Sequence, residues 1–261
     1  ASCRESLQGA QARLKTTSRF GYHELAYEAV ARHLHSFEPY ASISMRKAAG
    51  HTLKSAISHS FISDTRNDPF VATRGRYVRL MQEYAGLGGD ADHVKLEMES
   101  QISRPVYPGY SLSFAFRSGC LLPLFGKPSL FSDRFQLGGP SSIRSFKQNH
   151  LGPKDNGDYL GGDLQYAAGL SLLTPFPYKP HWPVNGHLFL NGGNLVSWDT
   201  TKGRLDTITR LIAEPSVSAG VGLIYRQSGV RFEANVGVPL VAHKSDGART
   251  GFQIGIGLSF L

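Results

Sequence analysis

Apolar residues alternate with polar or small residues along most of this chain. The alternation is clearest at the C-terminal end, where every second residue is apolar: Phe252, Ile254, Ile256, Leu258 and Phe260. Four earlier segments repeat the pattern: 93–102, 163–174, 217–226 and 230–238. A period of two residues is typical of a β-strand with one apolar face. Earlier alternation is looser but still visible, for example at 41–45 and 111–117, and about twelve strands are expected over the whole chain.

Turn-forming sequences separate these segments, for example Asp155-Asn156-Gly157 and Ser245-Asp246-Gly247. One helical turn is predicted at 204–212, in a connection between strands. Most of the predicted strands approach the length of about 9–11 residues that a tilted transmembrane strand needs. No composition shift marks a domain boundary, so residues 1–261 are predicted to form a single domain.

Two all-β architectures produce this alternation. A soluble β-sandwich alternates because one face of each sheet is buried. A transmembrane antiparallel β-barrel alternates because one face meets lipid and the other a wet lumen. Strand after strand here has an unbroken apolar face, while glycines fall on the polar face. The pattern therefore favours the barrel, and the soluble β-sandwich binding module stays as an alternative. No run of about 18 apolar residues predicts a transmembrane helix.

Composition excludes several other classes. Hydrophobic residues make up 41% of the chain and charged residues 18%, and there are 29 glycines. A disordered chain would have fewer aromatic residues and more charge. The net charge is 28 − 20 = +8, which suits nucleic acid, an anionic membrane surface or acidic clients. Because the basic residues do not interleave with exposed aromatic residues, no nucleic acid partner is expected.

Motifs for catalysis are missing from the sequence. There is no GxSxG, P-loop, GxGxxG or HExxH, the ten histidines are scattered, and the carboxylates are mostly solitary. The two cysteines, Cys3 and Cys120, frame neither a metal site nor a disulfide scaffold. We therefore expect no enzyme activity, no catalytic residues, no cofactor and no metal.

One segment is unusually long for a connection between strands. Residues 122–162 form a predicted loop of roughly forty residues, and loops beyond about 12–15 residues are usually functional or disordered. Gly138-Gly139-Pro140 predicts a tight turn. Ile143 and Phe146 then lie as apolar anchors around Arg144. The alternative is a surface Ω-loop with an exposed arginine.

Several motifs together carry a resemblance to a known family. They are DRFQLGGPSSIRSF at 133–146, GDYLGGDLQYAAGLSLLTPFPY at 157–178, LFLNGGNL at 188–195 and MRKAAGHTLKSAISHSFISDTRND at 45–68. In this order they resemble the outer-membrane barrel-assembly superfamily of the bacterial surface antigen type. Within it they are similar to the central barrel subunits of the mitochondrial sorting and assembly machinery. The resemblance is densest over 133–194 and weak before Tyr22.

The resemblance implies a sixteen-stranded barrel whose long loop folds inward. Its loop motif, an apolar residue followed by Arg-Gly-aromatic, maps onto Ile143, Arg144, Ser145 and Phe146. The arginine is expected to dock on lumenal residues of two strands. The alternation of apolar residues puts four candidates on the lumenal side: Asp163, Ser171, Phe189 and Asn191.

The docking prediction makes a separate statement about each of three residues. A buried guanidinium needs hydrogen bonds, ideally from a carboxylate, and Asp163 is the predicted counter-charge. Asn191 is expected to accept a hydrogen bond from Arg144. Ser145 departs from the family motif, and it would strain the loop if the glycine there needs a positive φ.

The C-terminal strand carries a second signal. Gln253, Gly255, Leu258 and Phe260 match the polar-x-Gly-x-x-apolar-x-apolar pattern by which mitochondrial barrel precursors are recognised. Such a strand offers an edge for strand addition and an apolar stripe for lipid. Every final barrel strand resembles this pattern to some degree, so the match indicates a membrane barrel more strongly than it indicates an insertase.

The resemblance implies insertion of β-barrel precursors into the mitochondrial outer membrane by edge-strand templating. The implied partners are β-barrel precursor proteins, metaxin-like peripheral subunits and membrane lipid. About four N-terminal strands and a transport-associated domain have no counterpart in this sequence. The chain is thus expected to be the C-terminal part of a longer barrel protein or a shortened paralogue without insertase activity, and a passive outer-membrane pore is the other alternative.

Overall fold

A computed structural model describes residues 2–176, 182–198, 203–227 and 230–257. The strands are β1 (Arg4–Ser18), β2 (Gly21–His35), β3 (Gly50–Asp64), β4 (Gly75–Ala85), β5 (His93–Tyr107), β6 (Tyr110–Pro123), β7 (Lys154–Asp155), β8 (Asp158–Tyr159), β9 (Leu164–Pro175), β10 (Val184–Val196), β11 (Ser216–Gln227), β12 (Val230–Val241) and β13 (Gly251–Gly257). The helices are α1 (Ile43–Lys47) and α2 (Arg204–Ala213), with a 3-10 turn at Phe131–Asp133.

Eleven of these strands form one antiparallel sheet in chain order, β1 to β6 and then β9 to β13. The short strands β7 and β8 pair with each other inside the connection between β6 and β9. The predicted all-β antiparallel fold is confirmed, with eleven long strands where about twelve were expected. Among the described residues no pairing joins β1 to β13.

Part of the difference in strand number lies at 41–45, where the looser alternation predicted a strand. The structure has α1 there instead. The Ser42 side chain accepts a hydrogen bond from the Met45 amide, which caps the first turn. A serine in this position satisfies one of the free N–H groups at a helix start and so favours helix over strand. The predicted helical turn at 204–212 corresponds to α2.

The outer face of the sheet is an exposed apolar belt. Neighbouring strands align their apolar side chains in register, as in the row Leu188, Val221, Val236 and Phe252. These four side chains are 45–56% exposed. A soluble sandwich would bury such a face under its second sheet, whereas here the apolar side chains stay exposed. An apolar belt of this size must meet lipid, so the sheet is the wall of a membrane barrel.

Strand length fits this assignment. Ten of the eleven sheet strands have 11–15 residues, enough for the roughly 9–11 that a tilted strand needs to cross a bilayer. No helix in the described part of the chain is long and apolar enough to cross a membrane. The long connection between β6 and β9 and the connections that contain α1 and α2 all leave the sheet at the same end.

The facing of the last strand gives a first prediction. Ile256 is 64% exposed on the outer face, whereas Gly255 is buried on the inner face. Ile256→Arg should block membrane integration, because a midplane charge on the lipid side costs roughly 2–4 kcal/mol. Gly255→Ser should be much milder. Carbonate extraction of membranes containing each variant measures integration, and equal loss for both variants would contradict the facing.

Candidate functional site

Residues 124–163, hereafter the inner loop, fold back over the inner face of the sheet. Five apolar side chains between 135 and 151 are almost fully buried there, with Ile143 and Phe146 both at 0% exposure. They form a cluster with side chains of the wall, whose members are Ala115, Leu121, Phe135, Leu137, Ile143, Phe146, Leu151, Ala167 and Leu195. The inner loop therefore supplies more than half of the largest hydrophobic cluster inside a sheet whose own apolar face points to lipid.

A tight turn presents the central segment of the loop. Gly138 and Gly139 have φ of 104° and 112°, a region that glycine enters without steric cost. The turn closes through hydrogen bonds from the Gly139 amide to the Ile143 carbonyl and from the Ser142 amide to the Gly139 carbonyl. The predicted turn at Gly138-Gly139-Pro140 thus lies directly before the Arg144 segment.

Arg144 lies fully buried on the inner face and binds Glu233 of β12. Its Nε donates to Glu233 Oε2 at 2.9 Å and its Nη2 donates to Oε1 at 3.0 Å. This two-point geometry matches the planar guanidinium to the carboxylate. The Arg144 guanidinium also lies over the Phe189 ring, 5.1 Å from the centroid.

Glu233 is shared with two further groups on the same strand. The Arg231 guanidinium forms an ion pair with Glu233 Oε1, and Asn235 Nδ2 donates to Oε2 at 2.8 Å. Arg231 Nη1 also donates to the Phe70 carbonyl at 2.9 Å, in the connection between β3 and β4. One buried carboxylate thus compensates two guanidinium groups, one from the loop and one from the wall.

The prediction that Asp163 carries the counter-charge is wrong. Asp163 is buried, but its Oδ2 accepts a hydrogen bond from the Trp198 amide at 3.0 Å. Its Oδ1 lies 4.0 Å from the Nε of Arg134, so its nearest charged neighbour belongs to another part of the loop. Asp163 closes the end of the inner loop against β10 instead of receiving Arg144.

The other three predicted receiving residues lie on the inner face with different roles. Phe189 contacts Arg144 as described. Asn191 Nδ2 donates to the Ser142 carbonyl at 2.9 Å and so binds the loop just before Arg144. In the part of the chain that the structure describes, the side-chain oxygen of Asn191 accepts no hydrogen bond, so the predicted acceptance from Arg144 is wrong. Ser171 pairs with His187, Oγ to Nε2 at 3.0 Å.

Ser145 adopts the backbone conformation that the glycine of the motif would suit, with φ of 65°. Its amide donates to Gln253 Oε1 at 2.8 Å, and Gln253 Nε2 donates to the Phe146 carbonyl at 2.9 Å. The side-chain amide of Gln253, in β13, therefore binds the backbone N–H of Ser145 and the backbone carbonyl of Phe146 at the same time. The Ser145 Oγ lies 2.4 Å from where a Cβ on Gly237 would be, so these two positions are closely packed.

The residues of the predicted C-terminal signal divide into two groups. Gln253 and Gly255 lie on the inner face of β13. Leu258 and Phe260 lie outside the described residues. The contact of Gln253 with the inner loop is a role that the sequence pattern did not indicate.

A second buried ion cluster holds the beginning of the inner loop. Asp133 is 3% exposed, and its Oδ1 lies 2.9 Å from Arg32 Nη1 and 3.9 Å from Lys54 Nζ. Lys54 in turn binds Glu83 at 2.7 Å, and Glu83 binds His93 Nε2 at 3.0 Å. Strands β2, β3, β4 and β5 thus each contribute one group. The loop is anchored to both halves of the sheet.

This second cluster contains the one described group of residues with metal-ligating geometry. Ligand atoms of Glu83, His93 and Asp133 lie within 4.8 Å of one another. Arg32 and Lys54 already compensate the two carboxylates, so a divalent cation would find no net negative charge to balance its own in this buried site. The donor set does not suit a metal, and the cluster is best described as an ion-pair anchor.

The β7–β8 hairpin links the loop to α1. Asp158 Oδ2 accepts from the Ser42 amide at 2.8 Å, and Asp155 Oδ2 accepts from the Ser44 amide at 3.1 Å. Hydrogen bonds from Ser44 lower the pKa of Asp155. Burial acts to raise the pKa of Asp158, but hydrogen bonds from Ser2 and Ser42 make the net shift downward. Both carboxyls are therefore ionised acceptors at neutral pH.

Sequence reasoning missed Glu233, although a signal was present. Glu233 is the only carboxylate in β9 to β13 as described, and the alternation of β12 puts it on the inner face. A solitary inward carboxylate is the natural partner of a buried loop arginine. Arg32, Lys54 and Glu83 offered a weaker signal, because no spacing in the sequence links their strands to Asp133.

Comparison with known proteins gives a consistent picture. Residues 4–260 match the model of the Omp85 superfamily domain. The human sorting and assembly machinery component 50 homolog is 37% identical over 267 residues, covering 100% of this chain and 57% of that protein. The 50 kDa sorting assembly machinery subunit of Saccharomyces cerevisiae is 36% identical over 231 residues, covering 85% of this chain and 47% of its own length. The chain spans about half the length of these relatives.

A solved structure shares the fold. The crystal structure of BamA from Haemophilus ducreyi, lacking POTRA domains 1–3, superposes with a TM-score of 0.81. The superposition covers 97% of this chain and 54% of that chain, at 15% sequence identity. Structural similarity at this identity concerns the fold alone.

The ion pair between Arg144 and Glu233 gives a second prediction. Arg144→Ala should lower stability by less than the about 3–5 kcal/mol that an uncompensated buried charge costs, because Glu233 loses one partner but keeps Arg231. Arg144→Lys should restore only part of the loss, since an ammonium cannot bind two carboxylate oxygens in a fixed plane. Urea unfolding of refolded barrel, followed by heat-modifiable migration in gels, measures the effect.

Pairing Arg144→Ala with Glu233→Gln supplies the control. If the two groups act as a pair, the double variant should lose much less than the sum of the single losses. Additive losses would show that Arg144 stabilises the barrel through other contacts.

The backbone at Ser145 gives a third prediction. Ser145→Gly should be neutral or stabilising, because glycine adopts φ of 65° without the cost that a side chain imposes. Gly237→Ala should destabilise, since its Cβ would lie 2.4 Å from Ser145 Oγ. Adding Ser145→Gly should recover part of that loss in the same unfolding assay. No recovery in the double variant would show that other contacts dominate at Gly237.

Proposed function

The chain belongs to the Omp85 superfamily, and on this premise we propose that it forms the membrane-embedded part of a machine that inserts β-barrel precursors. Its location is the mitochondrial outer membrane, as predicted from the sequence. The proposed mechanism is edge-strand templating, in which β13 pairs with an incoming strand. We also propose that no covalent chemistry takes place, so that the chain is not an enzyme.

The main observation behind this proposal is that the inner loop is hydrogen-bonded to β13 and to the residues just before it. Gln253 is bound from inside by the backbone of Ser145 and Phe146. Next to it, the Lys147 amide donates to the Gly247 carbonyl and the Arg249 amide donates to the Ser145 carbonyl. The loop thus holds the β12–β13 hairpin by its inner side. The edge of β13 away from β12 takes no part in these contacts.

An edge held in this way is suited to strand addition. In lipid, each unsatisfied backbone N–H or C=O costs several kcal/mol, so pairing with a client strand is strongly favoured. The apolar outer side chains of β13, including Ile254 at 62% exposure, would continue the lipid-facing belt into the client. The hydrogen-bonding direction and the lipid level of the new strand are then both set by β13.

The partners follow from the same proposal. β-Barrel precursors are the clients, and lipid surrounds the outer face. Metaxin-like peripheral subunits are proposed from the family resemblance alone. A passive pore is less well supported, because the inner loop fills the inner face with a packed apolar cluster and two ion clusters.

Disulfide trapping tests the templating mechanism. A variant with Ile254→Cys, in a chain whose Cys3 and Cys120 are replaced by serine, is expressed in mitochondria. A radiolabelled barrel precursor with one cysteine in its final strand is then imported and oxidised. We expect a mixed disulfide at position 254 during import, and its loss once assembly is complete.

Leu190→Cys is the matched control, because Leu190 is also outward and exposed but lies in the paired strand β10. An adduct at 254 and none at 190 supports templating. Equal adducts at both positions, or none at 254 while import proceeds, would contradict it. If the purified chain conducts ions but forms no adduct, the passive pore is favoured. If it neither conducts ions nor forms an adduct, the shortened paralogue without insertase activity is favoured.

A further inference from the structure

Helix α2 is the longer of the two helices in the described residues, and it lies against the outer wall. It connects β10 to β11 and contacts β9 and β10. Asn194, on the outward side of β10, donates from Nδ2 to the carbonyls of Arg210 at 3.2 Å and Leu211 at 3.1 Å. These bonds satisfy carbonyls at the end of the helix that would otherwise lack partners. The helix is thereby fixed to the lipid side of the barrel.

The helix presents three chemically distinct sides. Thr207 faces the wall and is 2% exposed. Leu205, Ile208 and Ile212 share one exposed side, at 79%, 41% and 65%. Their spacing of three and then four residues puts them within an arc of about 60° at 3.6 residues per turn. Asp206 and Arg210 lie on the remaining side. An exposed apolar stripe beside a charged side is typical of a helix in a membrane interface.

Between the helix and the wall there is an apolar groove of about 690 Å³. Leu211 and Ile212 form its helix side, while Leu96, Met98 and Phe116 of the lipid-facing belt form its wall. The floor holds the small side chains of Ser118 and Cys120, which leave the space open. Its volume is within the roughly 300–1,000 Å³ range of ligand sites in proteins.

We propose that α2 lies in the membrane interface, with its apolar stripe among acyl chains, and that the groove holds an acyl chain of a bilayer phospholipid. The occupant follows from continuity, because the wall of the groove is part of the lipid-facing belt. The water-facing Arg210 adds a charge complementary to a phosphate headgroup. No other described element covers this groove, and lipid is the medium on every neighbouring side of the wall.

Spin labelling tests the position of the helix. Ile212→Cys and Asp206→Cys are each made in the full chain with Cys3 and Cys120 replaced by serine, labelled, and reconstituted in phosphatidylcholine vesicles. Collision with dissolved oxygen reports lipid, and collision with a water-soluble nickel complex reports water. The oxygen-to-nickel ratio should be several-fold higher at 212 than at 206. Equal ratios would overturn the interfacial placement of α2.

Native mass spectrometry tests the groove. The unaltered protein, reconstituted in phosphatidylcholine vesicles and extracted into mild detergent, should retain a phospholipid adduct. Ser118→Phe fills the floor of the groove and should abolish the adduct. Ala31→Phe is the control, since Ala31 is exposed on the outer face of β2, away from α2. Heat-modifiable migration verifies that both variants are folded. Retention of lipid by Ser118→Phe, or equal loss from both variants, would overturn the acyl-chain site.

Discussion

The buried ion pair between Arg144 and Glu233 is the interaction on which the rest of the inner face depends. Removing two charges from water costs several kcal/mol for each ion, and only close, well-directed hydrogen bonds offset that cost. The pair meets this condition with three contacts of 2.8–3.0 Å. It constrains the loop strongly, because a loop displaced by a few ångströms would leave both charges buried without each other.

The packing of the inner loop follows from the direction of the apolar side chains, which is opposite to that in a soluble β-protein. The strands direct their apolar side chains outward, so the wall alone has little to bury on its inner side. The loop supplies that buried apolar surface, and its ion clusters bind the polar side chains that the wall offers. Asp133 reaches β2 to β5 and Arg144 reaches β12, so one segment connects strands at opposite ends of the sheet.

The sequence revealed the fold because alternation is a local property, and lipid makes it strict. The sequence also indicated that Arg144 folds inward beside Phe189. Because side chains alternate along a strand, the position of a residue in the strand assigns its side chain to the inner or the outer face. The sequence could not choose the carboxylate partner. Asp163 and Glu233 both point inward, and only the curvature of the sheet and the path of the loop decide which one Arg144 reaches. The capped helix α1 was missed because five residues with alternating polarity suit a strand equally well until Ser42 is recognised as a cap.

The strand order has a consequence for how this protein itself folds. Every sheet strand pairs with its neighbours along the chain, so apart from the long connection between β6 and β9 the sheet can grow one hairpin at a time with short loop closures. The contacts of the inner loop are different, since Arg144 and Glu233 are 89 residues apart and Ser42 and Asp158 are 116 apart. Arg144 has no carboxylate to meet until β12 has been added to the sheet. The inner loop therefore takes its final position late in folding. Only a wall that already includes β12 can bind it.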